Sequence, residues 1–170
     1  LRNLKTRKEP NMRKAQIMVV EDEGIEAADI QSRLNTLGYE VVACTGSGEE
    51  AERLAAQSKP DLVLMDIKLK GQTDGILAAE TIRANLDIPV VFLTAHADEA
   101  TLQRAKVTAP FGYVLKPFDE RELHTAVEIG LYRHAAEAKL KRLEAWLEAV
   151  LSSIGDALVV TDKWGLITLI

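Results

Sequence analysis

Five short apolar runs punctuate the chain: Ile17 to Val20, Val41 to Cys44, Leu62 to Met65, Val90 to Leu93 and Tyr113 to Leu115. None alternates polar with apolar residues, as a strand with one wet face does. Unbroken runs of this length mark strands buried on both faces, the pattern of parallel sheets covered by helices. Between them the period changes to three and four. Ala27, Ile30, Leu34 and Leu37 share one helical face, and Gly38 follows as a C-terminal stop. Ser47 with Glu50, and Asp119 with Glu122, have the spacing of capping boxes. Asp74-Gly75 introduces a helix that presents Ile76, Ala79 and Ile82, and residues 98–107 form a shorter, weakly apolar helical segment. Strand and helix alternating five times predict right-handed crossovers and a doubly wound α/β sandwich on a five-stranded parallel sheet.

The last helical stretch is predicted to overrun such a sandwich. From Asp119 to about Ser153 the chain has no proline, and its one glycine is Gly130. Leu123, Val127 and Leu131 supply a face for the sheet. Beyond them Leu140, Leu143, Leu147, Val150 and Ile154 step by 3, 4, 3 and 4 residues, a heptad seam flanked by Lys139, Lys141, Arg142, Glu144 and Glu148. A neighbouring domain or a second copy of the chain covers a seam of this kind, and a parallel homodimer through this helix is the expectation. After the seam, Ala157 to Thr161 and Leu166 to Ile170 read as two strands around an Asp162-Lys163-Trp164-Gly165 turn. An isolated hairpin is marginal in water, so the chain is expected to end inside a second domain.

Composition narrows the classes without choosing among them. With 170 residues, 47% hydrophobic and 28% charged, the chain has room for one ordinary domain and a remainder, and is neither disordered nor fibrous. No apolar run approaches the ~18 residues of a membrane span, and no signal-peptide core follows the basic start. A net charge of -5 argues against direct binding of nucleic acid. The lone Cys44 cannot form an internal disulfide and is read as strand filler in a reducing, cytoplasmic setting. Residues 1–13 carry Arg2, Lys5, Arg7, Lys8 and Arg13 against Glu9 alone, and are expected to be a disordered basic leader, with Met12 a candidate native start.

Chemistry enters at the residues that follow the strands. In an open α/β sheet, ligands bind beyond the carboxyl ends of the strands. Here the first strand is followed by Glu21-Asp22-Glu23, the third by Asp66, the fourth by Thr94 and the fifth by Lys116-Pro117. Crowded carboxylates repel one another and need a cation to stay ionised. Magnesium suits an all-oxygen cluster and bridges to phosphate. An Asp beside that metal is a competent nucleophile towards phosphorus, with Lys116 and the Thr94 hydroxyl available to neutralise phosphoryl oxygens. Plainer readings stand beside this one. Glu21 to Glu23 also suit the positive end of a helix dipole, Asp66 a surface turn, and Tyr113 a packed aromatic.

The stretches Val19-Val20-Glu21-Asp22-Glu23, Asp61 to Asp66, Leu93-Thr94-Ala95 and Gly112 to Phe118 together resemble the receiver domain of two-component response regulators. The resemblance spans residues 15–135 and implies a flavodoxin-like sheet of order 2-1-3-4-5. It makes Asp66 the phosphoacceptor, served by a cognate histidine kinase or phosphotransfer protein. It places Mg2+, for which Mn2+ can substitute, on Glu21, Asp22, Asp66 and the Lys68 backbone carbonyl. It makes Thr94 and Tyr113 the switch pair, Lys116 the ion-pairing lysine, and the bond before Pro117 cis. Such a module is a phosphoacceptor with at most slow self-dephosphorylation rather than an enzyme. Two features depart from the family pattern. Lys70 stands where proline is usual, and the loop containing Gly71 is one residue longer than common.

The expected organisation is a receiver at 14–135, a helical linker at 136–154 and, from 155, the start of a domain resembling a PAS sensory module. The alternatives are a magnesium-dependent phosphatase with an Asp nucleophile, or a dimerisation scaffold that takes no phosphate. The first usually carries a second Asp two residues after the nucleophile, where this chain has Lys68. The second leaves the acidic cluster, Thr94 and Lys116 without a purpose. His96, His124 and His134 lack metal-ligand spacing, and the last two are read as structural or surface residues. His96 and Lys68, each two residues past a site group, are expected to flank the route of hydrolytic water.

Overall fold

The computed structural model describes residues 13–70, 74–95, 110–153, 159–161 and 167–169. The leader through Met12, Gly71, the helical segment expected at 98–107, His96 and Ile154 lie outside these residues. Strands β1 (Gln16–Val20), β2 (Glu40–Thr45), β3 (Leu62–Asp66), β4 (Val90–Thr94) and β5 (Gly112–Leu115) form one parallel sheet in the order β2-β1-β3-β4-β5. Among the described residues the helices are α1 (Gly24–Thr36), α2 (Gly48–Ser58), α3 (Gly75–Leu86) and α4 (Glu120–Ser153).

Successive residues of each inner strand point to opposite layers, which is why those strands read as unbroken apolar runs. Met18, Val20, Val63, Met65 and Phe92 pack against Ala51 and Ala55 of α2 and Ile76, Ala79 and Ile82 of α3. Ile17, Val19, Leu62, Leu64, Val91 and Leu93 pack against Ile30 and Leu34 of α1 and Leu123 and Val127 of α4. This is the doubly wound sandwich that the alternation predicts.

The edges correct the expectation that all five strands are buried on both faces. Strands β1, β3 and β4 are buried almost throughout, whereas β2 is half-buried and Leu115 of β5 is exposed. An edge strand has a neighbour on one side only, so the same apolar composition is less fully covered. Cys44 lies on β2 and is exposed, so it does not fill the core as the sequence reading held.

The helix signals translate with one exception. Gly38, at φ 93°, ends α1 in a left-handed conformation that glycine adopts without strain. At the start of α4 the capping box is reciprocal. Glu122 N–H donates to Asp119 Oδ1 at 2.8 Å, and Asp119 N–H donates to Glu122 Oε2 at 3.0 Å. At α2 only half of the box forms. Glu50 N–H donates to Ser47 Oγ at 3.4 Å, but the Glu50 carboxylate accepts from the Thr45 hydroxyl and from Arg53 instead. In α4, Leu131 is partly buried behind Leu123 and Val127. The Tyr39 hydroxyl, ahead of β2, donates to Glu128 of the same helix at 2.7 Å and lies 2.7 Å from His124 Nδ1.

The chain divides between Tyr132 and Arg133 into two units. In the second, β6 (Val159–Thr161) and β7 (Ile167–Leu169) pair antiparallel, as the two expected strands do. Leu140, Leu143, Trp146 and Leu147 of α4 are exposed.

Candidate functional site

Parallel strands in register bring their carboxyl ends to one edge of the sheet. Val20 pairs with Met65, Asp66 with Leu93, and Thr94 with Leu115. Each strand therefore delivers its next polar residue to the same place: Glu21 after β1, Asp66 at the end of β3, Thr94 at the end of β4 and Lys116 after β5. Glu21, Asp66 and Thr94 are buried. Backbone bonds fix the ends. Lys116 N–H donates to the Thr94 carbonyl at 2.8 Å, and Glu21 N–H to the Thr45 carbonyl at 2.9 Å. The Lys116-Pro117 peptide is cis.

Lys116 is the hub. Its Nζ donates to Glu21 Oε2 at 2.6 Å, to Glu26 Oε2 at 2.6 Å and to Asp66 Oδ2 at 2.8 Å. Burial disfavours the ammonium, but the bonds to Asp66, Glu21 and Glu26 outweigh it and hold the lysine above its ordinary range. Burial has the larger effect on Glu21 and raises its carboxyl, against the lowering influence of Lys116 and the Glu23 N–H. Asp66 Oδ1 accepts the Lys68 N–H at 3.0 Å. Asp22, beside them, is met by Lys70 Nζ at 3.0 Å.

Glu21, Asp22 and Asp66 each present a carboxylate oxygen, and the three oxygens lie within 4.8 Å of one another. With Glu26 there are four carboxylates against the two ammonium groups of Lys70 and Lys116. An all-oxygen donor set with an excess of negative charge and a buried Asp22 oxygen that receives no aligned hydrogen bond fits a hard divalent cation such as Mg2+.

The structure brings Glu21, Asp22, Asp66 and Lys116 together, with Thr94 buried at the end of β4, whereas Glu23 is exposed outside the cluster. The Tyr113 ring lies on β5, the edge strand, 5.9 Å from that of Phe92 on the neighbouring β4. Its hydroxyl is buried without a hydrogen-bond partner among the described residues, and burial raises its phenol. Sequence reasoning missed Glu26 and two glycines. A Cβ on Gly46 would stand 2.9 Å from the Asp22 Cα, and one on Gly75 would stand 1.9 Å from the Asp66 carbonyl oxygen. Glycine at these positions is what lets the β2–α2 and β3–α3 connections close around the acids.

Residues 17–128 match the response regulator receiver domain. The chain belongs to that family. The receiver is 36% identical over 136 residues to the transcriptional regulatory protein PdtaR of Mycobacterium tuberculosis, covering 78% of this chain and 66% of that protein. The chain thus spans just under two thirds of that relative's length. The N-terminal domain of a response regulator/sensory box/GGDEF 3-domain protein from Carboxydothermus hydrogenoformans superposes with a TM-score of 0.66 at 37% identity, over 72% of this chain and 98% of that one. The receiver domain of a Pseudomonas aeruginosa sensor histidine kinase, solved with a magnesium ion coordinated in its active-site cleft, gives a TM-score of 0.64 at 30% identity, over 70% of this chain and 98% of that one. Among the described residues of the receiver chain, no helix is long and apolar enough to cross a membrane.

Proposed function

We propose that this receiver accepts a phosphoryl group on Asp66 from the phosphohistidine of a cytoplasmic histidine kinase or phosphotransfer protein. The observation that carries the reading is the Asp66 carboxylate itself, one oxygen on Lys116 and the cluster of Glu21 and Asp22 beside it. An Asp66 oxygen forms the new bond to phosphorus as the phosphorus–nitrogen bond of the donor breaks, and the imidazole leaves. Glu21, Asp22, Asp66 and the Lys68 carbonyl would hold Mg2+, which would supply positive charge against the phosphoryl oxygens. The Mg2+ in the Pseudomonas receiver supports this assignment. Lys116, already bonded to Asp66, answers the added charge, and Thr94, buried at the end of β4, supplies a hydroxyl from the neighbouring strand end. Tyr113, whose hydroxyl is unsatisfied among the described residues, is the aromatic that responds with it. Incubated with acetyl phosphate and Mg2+, the intact chain is expected to gain the mass of one phosphoryl group, and Asp66→Ala to gain none. A gain that survives Asp66→Ala removes Asp66 from the role.

The phosphorylated state is relayed along α4, through a linker at 136–154, towards a PAS-like sensory domain from residue 155. The antiparallel pairing of β6 with β7 and the domain order of the Carboxydothermus protein support that assignment. The exposed Leu140, Leu143 and Leu147, at heptad spacing, support a parallel homodimer along the same helix. Burial of a leucine contributes about 1.5–3 kcal/mol, so several together hold two copies at working concentrations. Light scattering is expected to report a dimer for the chain and a monomer for Leu143→Glu/Leu147→Glu. A monomer for both rejects the coil.

A further inference from the structure

Asp22 is the least supported carboxylate of the cluster. Glu21 and Asp66 each accept a backbone N–H and the Lys116 ammonium. The Asp22 side chain is only 9% exposed, and no aligned hydrogen bond reaches its buried Oδ2 from the described residues. Its counter-charge there is Lys70 Nζ, 3.0 Å away on a side chain that is 79% exposed. An exposed stem therefore carries the Lys70 ammonium to a buried oxygen of the acidic cluster.

We propose that Lys70 is a tethered cation that competes with the divalent metal for Asp22, and so sets the metal affinity of the unphosphorylated receiver. The inference rests on the metal site assigned above. A divalent ion on the Asp22 carboxylate and an ammonium 3.0 Å from its Oδ2 set two cations against each other, so metal entry weakens the Lys70 contact. Its exposure makes the withdrawal cheap. The Lys70 end of the pair is exposed and its stem regains freedom in water on release, so the competition grades affinity rather than blocking the site. Lys116 cannot play this part, because it is buried and held by three acids.

The test is a calorimetric titration of Mg2+ alone into the full chain, in wild type, Lys70→Gln, Lys70→Arg and Asp22→Asn. Lys70→Gln is expected to bind Mg2+ about three- to five-fold more tightly, the scale of one weak ion pair removed. Lys70→Arg, which keeps the charge, is expected to stay within about two-fold of wild type. Equal or weaker binding by Lys70→Gln, with Asp22→Asn still losing the ion, overturns the competition and leaves the metal site standing. Asp22→Asn binding as tightly as wild type overturns the metal site and the competition together.

Discussion

Lys116→Met is expected to lower the free energy of unfolding by about 2–4 kcal/mol at pH 8, because it strands buried carboxylates without their ammonium. The Lys116 side chain is 13% exposed, that of Glu21 0% and that of Asp66 12%, so water cannot replace the lost partner at two of the three acids. Glu26, at 44%, can turn to solvent and contributes little. The sign of the pH dependence follows from the directions of the shifts. Lys116 is held above the ordinary lysine value of 10.5, so its stabilisation is complete below that pH and is lost as pH rises through the higher folded value. Glu21 is held above 4.5 by burial, so the folded chain keeps a proton there that the unfolded chain releases. Without Lys116 that upward shift grows, and the variant loses stability as pH rises through it. Urea unfolding at pH 5 and pH 8 is therefore expected to show a small deficit at the lower pH and the full one at the higher. A deficit equal at both pH values would mean that lost packing, not charge, is responsible.

Gly75→Ala is expected to cost about 3 kcal/mol or more, the upper range for forcing a methyl into a filled space. Its Cβ would meet the Asp66 carbonyl oxygen at 1.9 Å and the Ile67 Cα at 3.2 Å. Both are backbone atoms, and Gly75 N–H already donates to the Ile67 carbonyl at 3.2 Å, so neither side can step away alone. Either α3 shifts at its first residue or the turn carrying Asp66 does, and phosphoryl gain from acetyl phosphate is expected to fall with stability. Gly130→Ala is the matched control. There the added Cβ meets side-chain atoms of Leu62 and Val91, at 2.7 and 3.1 Å, rather than backbone. Its steric cost is partly offset by the ~1 kcal/mol of helix propensity gained over glycine. Thermal melts that fall equally for the two variants would show that the backbone contact at Gly75 is not decisive.

How much of this was legible in the sequence depends on whether the deciding neighbours are local. Glu21, Asp66, Thr94 and Lys116 each follow an apolar run, and parallel pairing alone carries them to one edge. The reciprocal box at Asp119 and Glu122 is equally local. Gly75 and Gly46 look like ordinary turn residues, because the atoms that exclude a side chain belong to Asp66 and Asp22, which the fold brings up from elsewhere. Glu26 was hidden by a sufficient generic reason, since an acid in a first helical turn is favoured by the helix dipole. Glu50 had the right spacing to cap α2, yet Thr45 and Arg53 drew its carboxylate away. Cys44 and Leu115 carry no local mark of lying on edge strands.

The three bonds that meet at Lys116 close sequence separations of 50, 90 and 95 residues. The lysine follows β5, the edge strand that is last in chain order within the sheet. Until β5 docks, Glu21, Glu26 and Asp66 have no ammonium between them, and long loops must be closed before they gain one. A nascent or partly melted chain therefore lacks the finished ion cluster around Asp66. On the proposed function, competence to receive a phosphoryl group would double as quality control, because it would require a completed sheet.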